Sequence, residues 1–416
     1  MTMSKTNFFR SVFTLVTGTT IAQAIPVIIS PILTRLYTPE DIGILSLFTT
    51  ISIIFGNVVN AKFELAIVLP DDDRDAFNIA ALSILIALFI SLVLLIGTLI
   101  YSTKIALLLN SEEIKYWLYF VPLVVLLMGI FNTLNYLNIR LGNYSKISKS
   151  QIYRSLTLAM VQILLGIVKS GPSGLITGNI LSYLPLNIEL GNRVINRREI
   201  LTYINSKDMK SLSKKYINFP KFTLPASFIN TSSRYLPILF IPYFFTTNFL
   251  GFYSIINRLL NTPLLLIGNS IGQVFTKIIS QEKNKGGNTK KIFDSTLKKL
   301  FLVSLPIFIL LYFSVEDLFG IVFGKNWQIG GYYCKILIPL FFVRFIAIPL
   351  SITMEIFSKQ IFNLVWQFGL LLINIIIFFI TILLNLSFEV YLIYTSSILA
   401  VFYLINILMS RKFSEN

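Results

Sequence analysis

The chain has 416 residues, 55% hydrophobic and 13% charged, with 35 Lys and Arg against 19 Asp and Glu and a formal net charge of +16. Such apolar content with so little charge excludes an ordinary soluble domain and predicts an all-α integral membrane protein, its basic excess a matter of topology and not of nucleic-acid binding. The absence of histidine and the single cysteine, Cys334, exclude His-dependent hydrolases, zinc enzymes, Cys-based metal clusters and internal disulfides, so no catalytic and no metal-binding residue is assigned.

In chain order, Lys5 and Arg10 precede an apolar run in the manner of a signal peptide, but the run outlasts an h-region and reads as a retained first helix. Thr17–Pro70 then holds two apolar runs joined by the polar turn Thr34–Asp41. About 20 residues at ~1.5 Å rise span the ~30 Å hydrocarbon core, so this is a transmembrane hairpin. Its first helix carries Thr17, Thr19, Thr20 and Gln23 beside Pro26 and Pro31; its second carries Asn57, Asn60, Lys62 and Glu64. Polar groups at that depth require protein or water around them. The acidic run Asp71–Asp73 with Asp75 follows, either a divalent-ion site or a solvated turn that caps the third helix.

Breaking the apolar segments at charges, Pro/Gly clusters and polar turns predicts twelve transmembrane helices. They fall near 11–33, 42–69, 76–101, 114–139, 148–169, 173–192, 222–245, 249–276, 296–315, 333–357, 362–385 and 388–409. With a cytoplasmic N-terminus, most of the Lys and Arg fall in cytoplasmic segments, while the opposite face holds Arg35, Lys104, Lys115, Lys169, Lys325 and Lys335. That alternation supports both termini inside.

The long basic connection 193–221 divides the chain into an N-terminal six-helix lobe, 1–192, and a C-terminal one, 222–416. A weak repeat accompanies this division. Pro31–Leu33 is followed by Tyr37 and Gly43–Ser46, and Pro237–Leu239 by Tyr243 and Gly251–Ser254. Six helices per lobe give both the same orientation, hence a pseudo-twofold axis along the membrane normal and a central cavity between them.

No GxxxxGK[ST], GxSxG or HExxH motif occurs. The informative residues are instead charges inside helices, each costly in lipid. Arg234, Arg258 and Arg344 lie too deep to snorkel, whereas Arg154 and Lys62 sit nearer helix ends and serve as anchors or cavity residues. Glu64, Glu189 and Glu355 lie near inner ends, as partners of a nearby arginine or as ion-coupling carboxylates. Around Arg258, the residues Asn257, Asn261, Asn269 and Gln273 recur in multiples of four and make a polar ridge. Arginine at central positions suits an anionic ligand with planar oxygens, such as phosphate or carboxylate.

With these stretches in view, the sequence resembles the polysaccharide exporters of the multidrug/oligosaccharidyl-lipid/polysaccharide (MOP) superfamily, and within them the O-antigen or repeat-unit flippases (Wzx-like). The resemblance rests on Thr17–Gly43 (TGTTIAQAIPVIISPILTRLYTPEDIG), Phe63–Ser83 (FELAIVLPDDDRDAFNIAALS) and Tyr253–Phe275 (YSIINRLLNTPLLLIGNSIGQVF). It implies two six-helix lobes around a cationic cavity that opens alternately to either face. It further implies an undecaprenyl-diphosphate-linked glycan as cargo, moved across the bacterial inner membrane for O-antigen, capsule or other surface polysaccharide. No cofactor is expected beyond an H⁺ or Na⁺ gradient, and the partners are membrane lipids and polysaccharide polymerase or assembly proteins. The rival reading is a membrane polysaccharide polymerase or glycosyltransferase, which would need a sizeable outer loop; the largest here lies around Val315–Tyr332. A drug exporter of the same superfamily would prefer acidic residues where this chain has arginines.

Overall fold

The computed structural model describes the backbone of residues 5–195 and 203–415, and side chains within 14–192, 203–359 and 361–415. These described residues are 88% helical and contain no strand.

The first apolar run forms α1 (Lys5–Ile28) and α2 (Ser30–Leu36). They are separate because Pro31 has no N–H to continue the ladder. α3 (Pro39–Gly56) starts on a capping box in which the Thr38 hydroxyl accepts from the Asp41 N–H at 3.2 Å and the Asp41 carboxylate accepts from the Thr38 N–H at 2.8 Å. α4 (Asp73–Leu108) is capped by Asp72, whose carboxylate accepts from the Arg74 N–H at 3.0 Å. The acidic run is therefore a cap, and no cluster of three or more His, Cys, Asp or Glu suited to a metal occurs among the described residues. There follow α5 (Ile114–Leu118), α6 (Val121–Arg140), α7 (Tyr144–Ile167), α8 (Pro172–Ile195), α9 (Ser206–Lys215) and α10 (Leu224–Phe244). The chain continues through α11 (Thr247–Asn284), α12 (Thr289–Leu318), α13 (Gln328–Ser351), α14 (Thr353–Ile356), α15 (Gln360–Leu383) and α16 (Phe388–Phe413).

Nine helical stretches among the described residues are long and apolar enough to cross a membrane. The other long helices, α7, α8 and α10, have 24, 24 and 21 residues. Their hydropathy is lowered by polar residues, including Arg154, Glu189 and Arg234, and helices of that kind are tolerated at depth only against protein or water.

Several expected ends move. The second helix, expected to run to residue 69, stops at Gly56, and a separate 3₁₀ turn covers Phe63–Val68. The third and eighth helices extend past 101 and 276 to Leu108 and Asn284, because amphipathic ends containing Lys and Glu look like loops to a hydropathy count.

By contacts the chain divides into two compact units, Met1–Asn248 and Phe249–Asn416. The first is built around a cluster that includes Phe63, Ile67, Phe77, Ile79, Leu137 and Leu190; the second around Phe275, Ile279, Phe293, Ile346, Leu350 and Ile407. Burying such side chains stabilises by ~1.5–3 kcal/mol each. α10, the expected first helix of the C-terminal lobe, belongs to the first unit.

The connection 193–221 is not a free linker where it is described; Arg197 and Arg198 lie outside the described residues. α9 docks on α4: Arg74 Nη2 meets Asp208 at 2.9 Å, the Asn78 amide donates to the Tyr203 carbonyl at 2.8 Å, and the Asn205 N–H donates to Asn78 Oδ1 at 2.8 Å. Leu212 is buried in the first unit's core.

Candidate functional site

Within the first unit the chain leaves α3 at Gly56, and Ala61 and Lys62 both adopt left-handed backbone, with φ of 49° and 64°. Neither is glycine, and such conformations cost of order 1–3 kcal/mol each unless the surroundings impose them. A buried polar network does so. The Asn60 amide faces Ser83 Oγ and the Gly129 carbonyl, each at 3.0 Å, and Thr133 Oγ1 at 3.2 Å, while the Asn132 amide donates to Asn60 Oδ1 at 3.2 Å and to the Gly56 carbonyl at 3.1 Å.

This break turns Lys62 inward, 8% exposed. Its Nζ donates to Asn57 Oδ1 at 2.8 Å and lies 3.8 Å from Glu64 Oε1. The Asn57 amide in turn donates to the Thr231 hydroxyl and, at 3.4 Å, to the Ser227 carbonyl of α10. Lys62 and Glu64 thus leave the helix in which they are expected. Glu64 pairs with a lysine instead of an arginine, and its Oε2 is buried without a hydrogen-bond partner.

Elsewhere in the first unit, Arg154 on α7 donates from Nη2 to the Tyr183 hydroxyl of α8 at 2.8 Å. Its guanidinium stands 4.2 Å from the Tyr183 ring centroid, a cation–π contact, and its buried Nε has no acceptor. Gln23 on α1 and Arg234 on α10 are exposed, and Glu189 is half-buried on α8.

Arg140, which hydropathy alone does not single out, is a structural tie. Nε meets Asp73 at 3.0 Å, and the two Nη atoms donate to the carbonyls of Pro70 at 2.6 Å and Asp71 at 3.1 Å.

In the second unit, the expected polar ridge lies on the unbroken α11. The Asn257 amide donates back to the Tyr253 carbonyl of its own helix at 3.3 Å. Asn261 Oδ1 accepts from Arg344 Nη2 on α13 at 3.1 Å. Asn269 and Gln273 are exposed. The Arg344 guanidinium stands 5.2 Å from the Phe341 ring centroid and 5.5 Å from that of Tyr403 on α16, and its buried Nε has no acceptor. Arg258 is half-buried and forms no hydrogen bond or ion pair among the described residues. Glu355, on the short α14, is exposed, and neither it nor Glu189 joins an ion pair among the described residues.

All the ion pairs among the described residues lie at helix ends or turns: Lys62–Glu64, Arg74–Asp208, Arg140–Asp73, Lys290–Glu415, Lys335–Glu316 and Arg411–Asp294. The mid-helix arginines Arg154, Arg258 and Arg344 have neutral partners or none. A guanidinium stripped of water and given no carboxylate has its charge uncompensated, and an anion is the partner that compensates it.

Residues 32–329 match the family described as "Polysaccharide biosynthesis protein". The chain belongs to this family. Within the matched range, the Tyr37 hydroxyl donates to the Gln162 carbonyl at 2.7 Å, and a Cβ on Gly166 would come within 2.8 Å of the Tyr37 ring. Among curated proteins, the teichuronic acid biosynthesis protein TuaB of Bacillus subtilis (strain 168) is 25% identical over 161 residues, 38% of this chain and 33% of TuaB. The match therefore spans about a third of that relative's length.

Three solved structures share the fold. Lipid II flippase MurJ, in an inward closed conformation, has a TM-score of 0.67 at 15% identity, covering 95% of this chain and 87% of MurJ. An inward-facing multidrug resistance MATE family transporter of the MOP superfamily has a TM-score of 0.61 at 12% identity, covering 99% and 95%. A MOP superfamily transporter from Pyrococcus furiosus Vc1 (DSM3638) has a TM-score of 0.59 at 12% identity, covering 97% and 94%. The resemblance to the MOP polysaccharide exporters read from the sequence is borne out in family and in fold. The chain is a multi-pass membrane protein of polysaccharide biosynthesis with a transporter fold.

Proposed function

We propose that this chain is a lipid-linked oligosaccharide flippase that moves undecaprenyl-diphosphate-linked repeat units from the inner to the outer leaflet of the bacterial inner membrane. The observation that carries it is the pattern of charge pairing: among the described residues the carboxylates that form ion pairs do so at helix ends or turns, and the mid-helix arginines Arg154, Arg258 and Arg344 have neutral partners or none. A diphosphate supplies the paired anionic oxygens for bidentate contacts that those guanidinium groups lack. The family, and the lipid II flippase among its structural neighbours, support the same cargo class.

In this reading Arg258 and Arg344 hold the diphosphate or acidic sugars with Asn257 and Asn261. Twelve membrane crossings with both termini cytoplasmic, in two six-helix lobes opening a central cavity by turns, give the alternating access a flippase needs. The polar composition of α7, α8 and α10, the long helices outside the nine apolar ones, suits helices facing such a cavity. Coupling to H⁺ or Na⁺ through Glu64, Glu189 or Glu355 belongs to the same proposal; flux indifferent to both gradients would remove it.

The test is deletion of the gene followed by leaflet-resolved analysis of lipid-linked glycans. Single repeat units trapped on the cytoplasmic leaflet are the expected result. Single units that reach the outer leaflet without being polymerised would overturn it in favour of a polymerase.

A further inference from the structure

The segment joining α8 to α10 carries an amphipathic device that the transport reading does not use. On α9, Leu212 is buried in the first unit's core, with Tyr216 packed beside it. At 100° per residue, Lys207, Lys210 and Lys214 fall together on the opposite side of the helix. All three are exposed, as are Lys221, Ile217 and Phe222 just beyond the helix, the last two at 51% and 60%.

None of these four lysines forms an ion pair among the described residues. Asp208, the one acidic residue between 203 and 222, is engaged by Arg74 at 2.9 Å. The positive-inside rule explains the sign of this charge but not its phase. A loop that merely obeyed the rule would scatter its lysines, whereas three of the four on α9 share the outward side; Lys215, also exposed, lies about 60° from Leu212 and over the Tyr216 ring, outside the patch. α10, which continues directly from Phe222 at Leu224, gives the patch continuity with a membrane-entering helix.

We propose that this face binds anionic phospholipid headgroups of the leaflet surrounding the first unit. The four lysines contact phosphate, and Phe222 and Ile217 enter the acyl boundary, the usual division of labour for an interfacial basic helix.

The experiment uses the full chain in nanodiscs of phosphatidylcholine alone or of phosphatidylcholine doped with phosphatidylglycerol. Ser211→Cys, exposed beside the lysines, carries an environment-sensitive fluorophore; the native Cys334 is buried and stays unlabelled. Phosphatidylglycerol should shift the emission to the blue, and high salt should reverse the shift. The variant K207Q/K210Q/K214Q/K221Q should lose the shift and retain several-fold less phosphatidylglycerol on extraction. This variant leaves Leu212, Asp208 and the Asn78 contacts in place, so its fold is preserved. Identical emission in the two lipids, or a shift that survives in the variant, would overturn the proposal and leave the face to an acidic protein partner.

Discussion

Two cations, Lys62 in the first unit and Arg344 in the second, are answered in opposite ways, and Arg154 of the first unit sides with Arg344. In the first, Lys62 is turned inward by a strained backbone and answered on the spot by Asn57 and, more loosely, by Glu64. In the second, Arg344 is held by an amide and two aromatic rings with no carboxylate partner among the described residues, and Arg258 has no hydrogen bond or ion pair among them. A charge answered inside the fold is a fastener. One met only by neutral acceptors is a socket, and its cost is recovered when an anion arrives. The contrast predicts that the same kind of substitution has different readouts at Lys62 and at Arg344.

The largest effect on stability is expected at the fastener. Lys62→Met leaves the Glu64 carboxylate buried without a counter-charge and should destabilise by about 3 kcal/mol, the lower end for a broken buried pair because the contact is long. Adding Glu64→Gln should restore much of that loss in thermal unfolding, and a double variant no better than the single would show that the two residues are not coupled.

At the socket the signs reverse. Arg344→Gln should lower flux of a lipid-linked oligosaccharide in proteoliposomes by about 10- to 100-fold, the equivalent of a lost charge-assisted hydrogen bond, while stability changes by less than about 1 kcal/mol. Loss of fold in this variant would make Arg344 a fastener too.

Tyr37→Phe tests a neutral tie in the first unit. Removing the hydroxyl from the Gln162 carbonyl should cost about 1 kcal/mol in unfolding with little change in flux.

The smallest effect belongs to the exposed Lys290–Glu415 pair, at 2.8 Å. The hydrogen bond from Lys290 holds the Glu415 carboxyl below its ordinary range. A depressed carboxylate contributes above its unfolded value and is lost as pH falls through the folded one. Acidification should therefore speed hydrogen exchange at residues 412–415 and leave neutral-pH flux unchanged.

Much of this contrast was legible in the sequence, and its limits have physical causes. Arginine in the middle of an apolar run is conspicuous because lipid penalises it, so Arg258 and Arg344 stood out from composition and position alone. Their partners did not: Tyr403 meets Arg344 across 59 residues of chain, and nothing local marks it.

The turn at Lys62 is hidden in the sequence because Val58, Val59 and Ala61 continue the apolar pattern. The signal was present in Gly56-Asn57 and Asn60, a helix-ending glycine followed by amides that bond to backbone. The docked α9 shows the same gap. Its lysines read as topology, while the spacing of Met209, Leu212 and Tyr216, which marks a buried face, went unread beside so much charge. The helix extensions of α4 and α11 escaped because hydropathy measures the bilayer and not the helix.

The most direct test of the socket is binding of a polyprenyl diphosphate, free of any sugar, to the purified chain and to the Arg258→Gln/Arg344→Gln variant. The account predicts that the wild-type chain binds the diphosphate at least about tenfold more tightly than the variant, with an uncharged polyprenol bound equally weakly by both. Equal affinity of the two chains for the diphosphate would contradict it.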